Sequence, residues 1–301
     1  MENNINYQNF NYNLYLLLNK DVIINSTLEN VDHEEIKLGA WKHYINHGII
    51  EERPTNILNT TKTHNGRFGN LFFINMACHF IALKFNLNVN YKYFEKFKKL
   101  GVKLFTGLIK YNDELYYELT DDSFLDIINF SKISKNLMIT NNIWCQQDDF
   151  IELLKNYWMC KFNKNSIIKN NLFNKRYNNN NDLFIHVRLG DITDKTISLE
   201  NYYLNTISFL QWDNGYISSD SLNHPICINL INKFNLNPIY YDEVETIMFG
   251  STCKKIVLSG GTFSWLIGFY SFFSEIIIYP KIQNPWYGKI FDNMGWKIIE
   301  T

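Results

Sequence analysis

The sequence predicts an α/β protein whose second half is a doubly wound parallel sheet. Short apolar segments alternate with helix-length amphipathic segments between residues 183 and 279. Such alternation is typical of parallel strands joined by right-handed helical crossovers. The apolar segments are four or five residues long, as expected for strands that are buried on both faces.

The predicted elements of this half follow one another in order. Strands are expected at 183–187, 215–218, 238–241, 255–258 and 275–279, and helices at 199–210, 225–234, 243–252 and 263–273. Pro225 supports a helix start, because proline is tolerated in the first turn. Four consecutive asparagines within 177–181 predict a linker ahead of this half.

The first half predicts a second lobe and a separate extension. We expect an N-terminal lobe over 56–176 and a C-terminal lobe over 177–301, each with its own core. The elements predicted in the first lobe are a helix over 71–85, strands over 87–91 and 137–140, and a helix that ends near Met159.

Residues 1–55 predict a small helical extension. Acidic residues at 32–35 favour a helix start, an apolar stripe follows, and Gly48 is the expected C-cap. His43 and His47 are four residues apart, as two metal ligands on one helix face would be, but no HExxH pattern accompanies them and we expect no metal. Residues 41–54 resemble a short helical module found beside glycan-related proteins of large viruses.

Composition narrows the function classes. The chain has 301 residues, of which 46% are apolar, and a formal net charge of −1, so nucleic-acid binding by bulk electrostatics is not expected. The five cysteines form no CxxC pair and are odd in number, which favours a reducing compartment. Neither an apolar run of about 18 residues nor a signal-peptide pattern is evident, so we expect a soluble, cytoplasmic protein without a transmembrane segment.

Residues 183–191 carry the strongest functional signal. Four apolar residues predict a short buried strand interrupted by His186, and Arg188 falls at its carboxyl end. Ligands of open α/β sheets bind outside the carboxyl ends of the strands. A guanidinium is planar, permanently charged and suited to phosphate, so Arg188 is a candidate ligand. A loop arginine paired with Asp191 or Asp194 is the alternative.

A second signal is the sequence SGGTFSW at residues 259–265, which joins a predicted strand to a predicted helix. Gly260 and Gly261 would allow backbone N–H groups to face a phosphate at the positive end of that helix. The hydroxyls of Thr262 and Ser264 could also be simple N-caps.

Two weaker signals lie in the first half. Gly66 and Gly69 belong to the sequence GRFGN, which precedes a predicted helix and allows an anion-binding turn, with a plain tight turn as the alternative. Trp144 stands beside amides that include Gln146, so a buried tryptophan could form the floor of a sugar site or simply pack in a loop.

Together these stretches resemble the α-1,2-fucosyltransferases over residues 62–290. The matching motifs, in family order, are GRFGN (66–70), WCQ (144–146), HVRLGD (186–191) and TFSW (262–265), and a fifth, shorter motif resembles Ser219-Asp220. The resemblance implies a GT-B architecture of two Rossmann-like lobes facing a cleft, with the lobe over 56–176 on the acceptor side and the lobe over 177–301 on the nucleotide-sugar side. It also implies GDP-fucose as the donor substrate, a glycan acceptor, and neither a metal nor another cofactor.

The same resemblance implies roles for particular residues. Arg188 would grip the diphosphate with His186 beside it, and Asn70 with its glycines would close the cleft from the other lobe. Asp191 is the nearest candidate for a base, although it could equally orient Arg188. The residues expected to bind substrate are Gly66, Gly69, Asn70, Trp144, Gln146, Ser219, Asp220, Gly260, Gly261, Thr262, Phe263 and Ser264.

The predicted function is inverting transfer of fucose from GDP-fucose to a glycan hydroxyl. The family usually has glutamine at the position of Leu71, so the resemblance favours fucose transfer more than a particular α-1,2 linkage. The alternatives are another nucleotide sugar, an O-fucosyltransferase-like activity, and a non-catalytic glycan- or nucleotide-binding protein. A Rossmann oxidoreductase is disfavoured, because no GxGxxG motif with a following acidic residue is found.

Overall fold

The computed structural model describes residues 5–8, 10, 12–19, 22, 33–51, 67–111, 116–139, 143–190, 197–282, 285 and 288–300. Packing divides the chain into two compact units. The first comprises residues 1–66, 71–94 and 104–145, and the second comprises 67–70, 95–103 and 146–301. The predicted boundary at 176/177 falls inside the second unit; the three predicted domains stay a prediction, because this division rests on packing alone.

The described part of the N-terminal segment forms two short helices. Helix α1 spans Tyr12–Leu18, helix α2 spans His33–His43, and a π-helical turn continues α2 over Tyr44–Gly48. The prediction of Gly48 as a C-cap is wrong, because this glycine lies within the π-helical turn. A Cβ there would lie 2.6 Å from the hydroxyl oxygen of Tyr15, so close packing accounts for the glycine.

The next elements are helix α3 (Phe68–Phe85), helix α4 (Phe94–Lys99), strand β1 (Tyr116–Leu119), helix α5 (Ser123–Asn129) and strand β2 (Asn136–Ile139). Strands β1 and β2 pair in parallel, as α/β architecture requires. The predicted helix at 71–85 and strand at 137–140 are confirmed. The strand predicted at 87–91 is not continuous in the described part of the chain: Leu87 forms an isolated bridge with Ile109, and Asn90 is a second bridge position.

Helix α3 is the one described helix that is long and apolar enough to cross a membrane, with a mean hydropathy of 1.3. Its window is 78% buried inside the protein, and the core helix of a globular protein passes the same test.

Among its described residues, the second unit contains a six-stranded parallel sheet. Before it come helices α6 (Asp148–Met159) and α7 (Lys161–Asn170) and a 3₁₀ turn (Asn174–Arg176). The strands are β3 (Leu183–Val187), β4 (Gly215–Ser219), β5 (Asn237–Pro238), β6 (Lys255–Val257), β7 (Ile276–Lys281) and β8 (Lys297–Glu300). The helices between them are α8 (Ile197–Ser208), α9 (Pro225–Phe234), α10 (Glu243–Gly250) and α11 (Thr262–Phe269), and a 3₁₀ turn (Asp292–Met294) precedes β8.

The strand order is β5-β4-β3-β6-β7-β8, and every neighbouring pair is parallel. The chain builds outward from β3 through β4 to β5, then returns to the other side of β3 and builds outward through β6, β7 and β8. This is the order of doubly wound Rossmann sheets. The predicted α/β class with a parallel sheet in the second half is therefore confirmed.

Strand β8 was not predicted. Its residues are mostly exposed, so its sequence lacks the apolar run that marks the buried strands. The strand predicted at 275–279 is present as β7, but the prediction that it is the final strand is wrong, because β8 follows it.

The asparagine-rich segment 177–181 is a packed turn, so the linker prediction was wrong. The amide of Asn180 donates to the carbonyls of Arg176 and Thr252, at 2.6 Å and 3.0 Å. Asn178 takes a left-handed conformation with φ of 59°. Asparagine tolerates the left-handed conformation, and its side-chain amide can donate hydrogen bonds to the carbonyl groups of a turn. These two properties explain why a packed turn is rich in asparagine.

Alternate residues of β3 face opposite helical layers, as the two-residue period of a strand requires. Its odd-numbered residues are buried in an apolar cluster with residues of α8 and α9. On the other face Phe184 packs near Phe249 of α10, and His186 contacts Ser264 of α11. A polar residue can interrupt this buried strand because it points at the first turn of α11.

Candidate functional site

The candidate site lies at the carboxyl ends of β3 and β6. These two strands are direct neighbours, and the strand order reverses between them. Ligands of doubly wound sheets bind in the crevice at such a reversal. Arg188 follows β3 and is half-buried, and Ser259 and Gly260 follow β6. The two strongest sequence signals thus lie at the ends of adjacent strands of one sheet.

A buried hydrogen-bond network joins these strand ends. The Nδ1 atom of His186 lies 3.0 Å from the hydroxyl oxygen of Ser259 and 2.6 Å from that of Ser264. The two hydroxyl oxygens are 2.7 Å apart, so the three side chains form a closed triangle. The direction of each bond depends on the histidine tautomer.

The histidine of this network is neutral at neutral pH. Burial lowers the pKa of His186 to about 4; the charge of Asp220 opposes that shift, and the charge of Arg188 adds to it. A neutral imidazole bonded to two hydroxyls is suited to fix the turn after β6, and it offers no positive charge to a diphosphate.

Glycine is required at the N-terminus of α11. Gly261 is the N-cap residue and has a φ of 104°, a conformation that side-chain-bearing residues rarely adopt. It has no side chain to cap the helix, and among the described residues no side-chain cap is found there. The hydroxyl of Ser264 is bonded to His186, so the simple N-cap alternative is wrong for Ser264. An uncapped helix N-terminus is suited to an anion.

The first turn of α3 packs on the first turn of α11. A Cβ on Gly69 would lie 2.6 Å from the backbone nitrogen of Phe263 and 2.6 Å from Oγ1 of Thr262. The side chain of Asn70 reinforces this contact, because its Oδ1 accepts a 2.7 Å hydrogen bond from Thr262. Nε2 of Gln146 lies 3.4 Å from the same oxygen. Packing groups residues 67–70 with the second unit, whereas the resemblance implied closure of the site from the other lobe.

Asp220 holds the turn that follows Arg188. Its Oδ1 accepts hydrogen bonds from the backbone N–H groups of Leu189 and Gly190, at 2.9 Å and 3.1 Å. Its Oδ2 lies 3.0 Å from Nη1 of Arg67. Partial burial raises the pKa of this carboxyl, but the hydrogen bonds from Leu189, Gly190 and Arg67 outweigh burial and leave the pKa below its ordinary value. Asp220 is therefore ionised at neutral pH.

The remaining predicted residues are placed as follows. Ser219 ends β4, and its hydroxyl oxygen accepts from the backbone N–H of Ser221 at 3.0 Å. Trp144 belongs to the first unit and is 40% exposed, so the expectation of a buried tryptophan is wrong; its backbone N–H donates to Asp121. Gly66 and Asp191 lie outside the described residues.

No group of three or more histidine, cysteine, aspartate or glutamate side chains suited to a metal ion is found within the described ranges. His43 and His47, the pair with metal-ligand spacing, have ring centroids 5.2 Å apart. His43 is instead hydrogen-bonded through Nδ1 to the hydroxyl of Tyr15, at 2.9 Å.

Two residues of this site were missed in the sequence: Ser259, whose hydroxyl is bonded to His186, and Arg67. Arg67 stands inside the GRFGN motif, yet its ion pair with Asp220 spans 153 positions. The sequence placed Arg67 between two glycines, but this pattern did not indicate that its side chain would form an ion pair with Asp220.

Comparison of the chain with protein-family models, with curated proteins and with solved structures gave no match. The interpretation of the site depends on its own geometry and on the resemblance of its motifs.

Proposed function

We propose that the protein is an inverting glycosyltransferase that transfers fucose from GDP-fucose to a hydroxyl of a glycan acceptor, in α-1,2 linkage. One observation carries the proposal: the Arg188 turn and the uncapped N-terminus of α11 lie at adjacent strand ends where the strand order reverses. Adjacent strand ends that carry a guanidinium and a helix N-terminus suit a nucleoside diphosphate. The fucosyltransferase-like motifs supply the choice of donor, and a two-lobed GT-B arrangement is part of the proposal.

The proposed reaction is a displacement at the anomeric carbon. The acceptor oxygen forms a bond to that carbon from one face, while the bond to the β-phosphate oxygen breaks on the opposite face. GDP leaves with the bonding electron pair, and the acceptor hydroxyl loses its proton to a base. Negative charge grows on the β-phosphate, where Arg188 and the first N–H groups of α11 would stabilise it.

The base is not His186 in this proposal. The residue is only 6% exposed, and its Nδ1 is engaged with Ser259 and Ser264. A buried imidazole with a pKa of about 4 is a weak base and is poorly placed to meet an acceptor. The role proposed for His186 is to hold the two serines, and through them the glycine turn. Asp191 keeps its two predicted roles, as the base or as the group that orients Arg188.

A transfer assay tests the function. The protein is incubated with GDP-fucose and a panel of β-galactosides, and GDP release and the fucosylated product are both measured. The proposal predicts acceptor-dependent GDP release and a product whose anomeric configuration is inverted relative to the donor. Parallel reactions with UDP-glucose and dTDP-rhamnose are the controls. Turnover of either control sugar in preference to GDP-fucose would contradict the donor assignment, and binding without turnover of any donor would favour a non-catalytic protein.

A further inference from the structure

The carboxylate of Asp220 is already occupied by protein groups. It accepts hydrogen bonds from the backbone N–H groups of Leu189 and Gly190, and it forms an ion pair with the guanidinium of Arg67. A carboxylate offers about four acceptor positions, so three such partners leave little for a sugar hydroxyl. These partners come from the GRFGN and HVRLGD motifs, so Asp220 connects three motifs within the second unit.

We propose that Asp220 is a positioning residue that fixes the turn carrying Arg188, with Arg67 as its partner, and that it is not a substrate ligand. Its effect on transfer rests on the proposed function. On one side of Arg188, Val187 ends strand β3 and is paired with β4. On the other side, the backbone N–H groups of Leu189 and Gly190 are hydrogen-bonded to Asp220. The turn is therefore held on both sides of the arginine.

Gly190 supports this assignment independently. A Cβ on this residue would lie 2.8 Å from Oδ2 of Asp220, so the turn and the carboxylate are in direct contact. The φ of Gly190 is outside the left-handed region, so backbone strain does not explain the glycine. Room for the Asp220 carboxylate does explain it.

Fixing the arginine before substrate arrives has a catalytic consequence. An oriented guanidinium stabilises developing charge without first losing conformational freedom. Hydrogen bonds from N–H groups to an ionised carboxylate are stronger than those to neutral acceptors, which makes an aspartate suited to this task.

Amide hydrogen exchange without any ligand tests the tether itself. In Asp220→Ala we expect exchange at Leu189 and Gly190 to accelerate by about tenfold or more, because both N–H groups lose a charged acceptor. Asp220→Asn keeps one acceptor oxygen and should give a smaller acceleration. Asp213→Ala is the matched control, since Asp213 is an exposed aspartate that accepts from Asn181 in the same unit. Unchanged exchange in Asp220→Ala would overturn the proposal.

Steady-state kinetics separate positioning from substrate binding. Misplacement of a catalytic group by about 1 Å can cost about 10²-fold in rate. We expect Asp220→Ala to lower kcat by up to about that factor, Asp220→Asn to lower it less, and KM for the donor to change by a smaller factor than kcat. Raised KM with unchanged kcat would identify a substrate ligand instead. Tighter GDP binding in Asp220→Ala would also overturn the proposal, because the carboxylate would then be occupying a phosphate position.

A double-mutant cycle tests the contact with Gly190. Gly190→Ala alone should accelerate exchange at Leu189, because its Cβ displaces the carboxylate. In the Asp220→Ala background the same change should add little, since the carboxylate is gone. Additive effects would contradict the contact. If the wild-type protein transfers no fucose, the proposed function fails, whereas the exchange experiments still decide whether Asp220 holds the turn.

Discussion

The Nδ1 atom of His186 lies 2.6 Å from the hydroxyl oxygen of Ser264. This contact joins the carboxyl end of the buried strand β3 to the first turn of α11. Because burial keeps the imidazole neutral, the link is made by hydrogen bonds and not by charge. The strand end and the glycine turn, which are proposed to bind the diphosphate, are thereby held together.

The neutral state of His186 predicts acid-sensitive stability. Its pKa falls from 6.5 to about 4 on folding, so between these pH values the unfolded chain binds a proton that the folded protein does not. Stability is then fully present above pH 6.5 and is lost as pH falls toward 4, by about 3 kcal/mol in total. Urea unfolding between pH 7 and pH 4 should show this loss. His186→Asn should reduce the slope of the unfolding free energy against pH.

A second buried histidine provides the control for that experiment. Burial also lowers the pKa of His79, in the first unit, to about 4. His79→Asn should therefore retain the share of the pH dependence that belongs to His186. An unaltered slope in His186→Asn would show that this histidine is not buried in the neutral form.

Gly69→Ala should disturb the first turn of α11. Its Cβ would lie 2.6 Å from the backbone nitrogen of Phe263, and backbone yields less readily than a side-chain end. We expect a loss of about 1–3 kcal/mol in stability together with weaker GDP binding, measured by urea unfolding and saturation binding. Thr262→Ala should not rescue the variant, because backbone atoms remain too close. Full rescue would show that the side chain of Thr262 makes the decisive contact.

Arg188 should matter for rate more than for stability. The account predicts that Arg188→Ala folds with a near-normal melting temperature but transfers fucose about 10²- to 10³-fold more slowly. Arg188→Lys should stay impaired, because lysine lacks the planar fork. Near-normal transfer by the lysine variant would remove Arg188 from the mechanism.

Arg176 provides the matched contrast. It pairs with Asp182, which is 4% exposed at its side chain, and lies 4.4 Å from the centre of the Phe249 ring. Asp182 would be left buried without its cation, although the side chain of Arg176 is itself 25% exposed, so the cost should be below the roughly 3–5 kcal/mol of a fully buried pair. Arg176→Ala should therefore lower the melting temperature while the folded fraction keeps its rate, which is the opposite of the Arg188 pattern.

The central elements of the second half were predictable because buried parallel strands are short apolar runs. Strands β3 and β6 and helix α9 were located within one residue of their observed bounds. The turn after β6 was also predictable from local sequence, because two glycines followed by hydroxyl residues are typical of a turn that joins a strand to a helix.

The contacts that build the site could not be read from local pattern. His186 meets serines 73 and 78 positions away, and Arg67 meets Asp220 across 153 positions. Pairing at such separations depends on strand order, which periodicity does not encode. Strand β8 was missed because it is exposed, and the 177–181 turn was misassigned because asparagine satisfies packed turns as readily as it occurs in linkers.

Deletion of residues 1–55 should leave GDP binding intact. Phe10, Tyr15 and Ala40 form the buried centre of a cluster whose members all lie in α1, α2 and the adjoining residues. The residues proposed to hold the diphosphate belong to the second unit. Saturation binding of GDP to the truncated protein checks this, with circular dichroism as the control for folding. A folded truncated protein that no longer binds GDP would place these residues in the catalytic body.

The central claim is that the carboxyl ends of β3 and β6 bind a guanosine diphosphate sugar, and thermal stabilisation by a nucleotide-sugar panel tests it most directly. A ligand at 100 times its dissociation constant stabilises the folded protein by about 2.7 kcal/mol. GDP and GDP-fucose are predicted to raise the melting temperature, whereas UDP-glucose and dTDP-rhamnose at equal concentration are predicted to leave it unchanged. Stabilisation by UDP-glucose or dTDP-rhamnose without stabilisation by GDP would contradict the account.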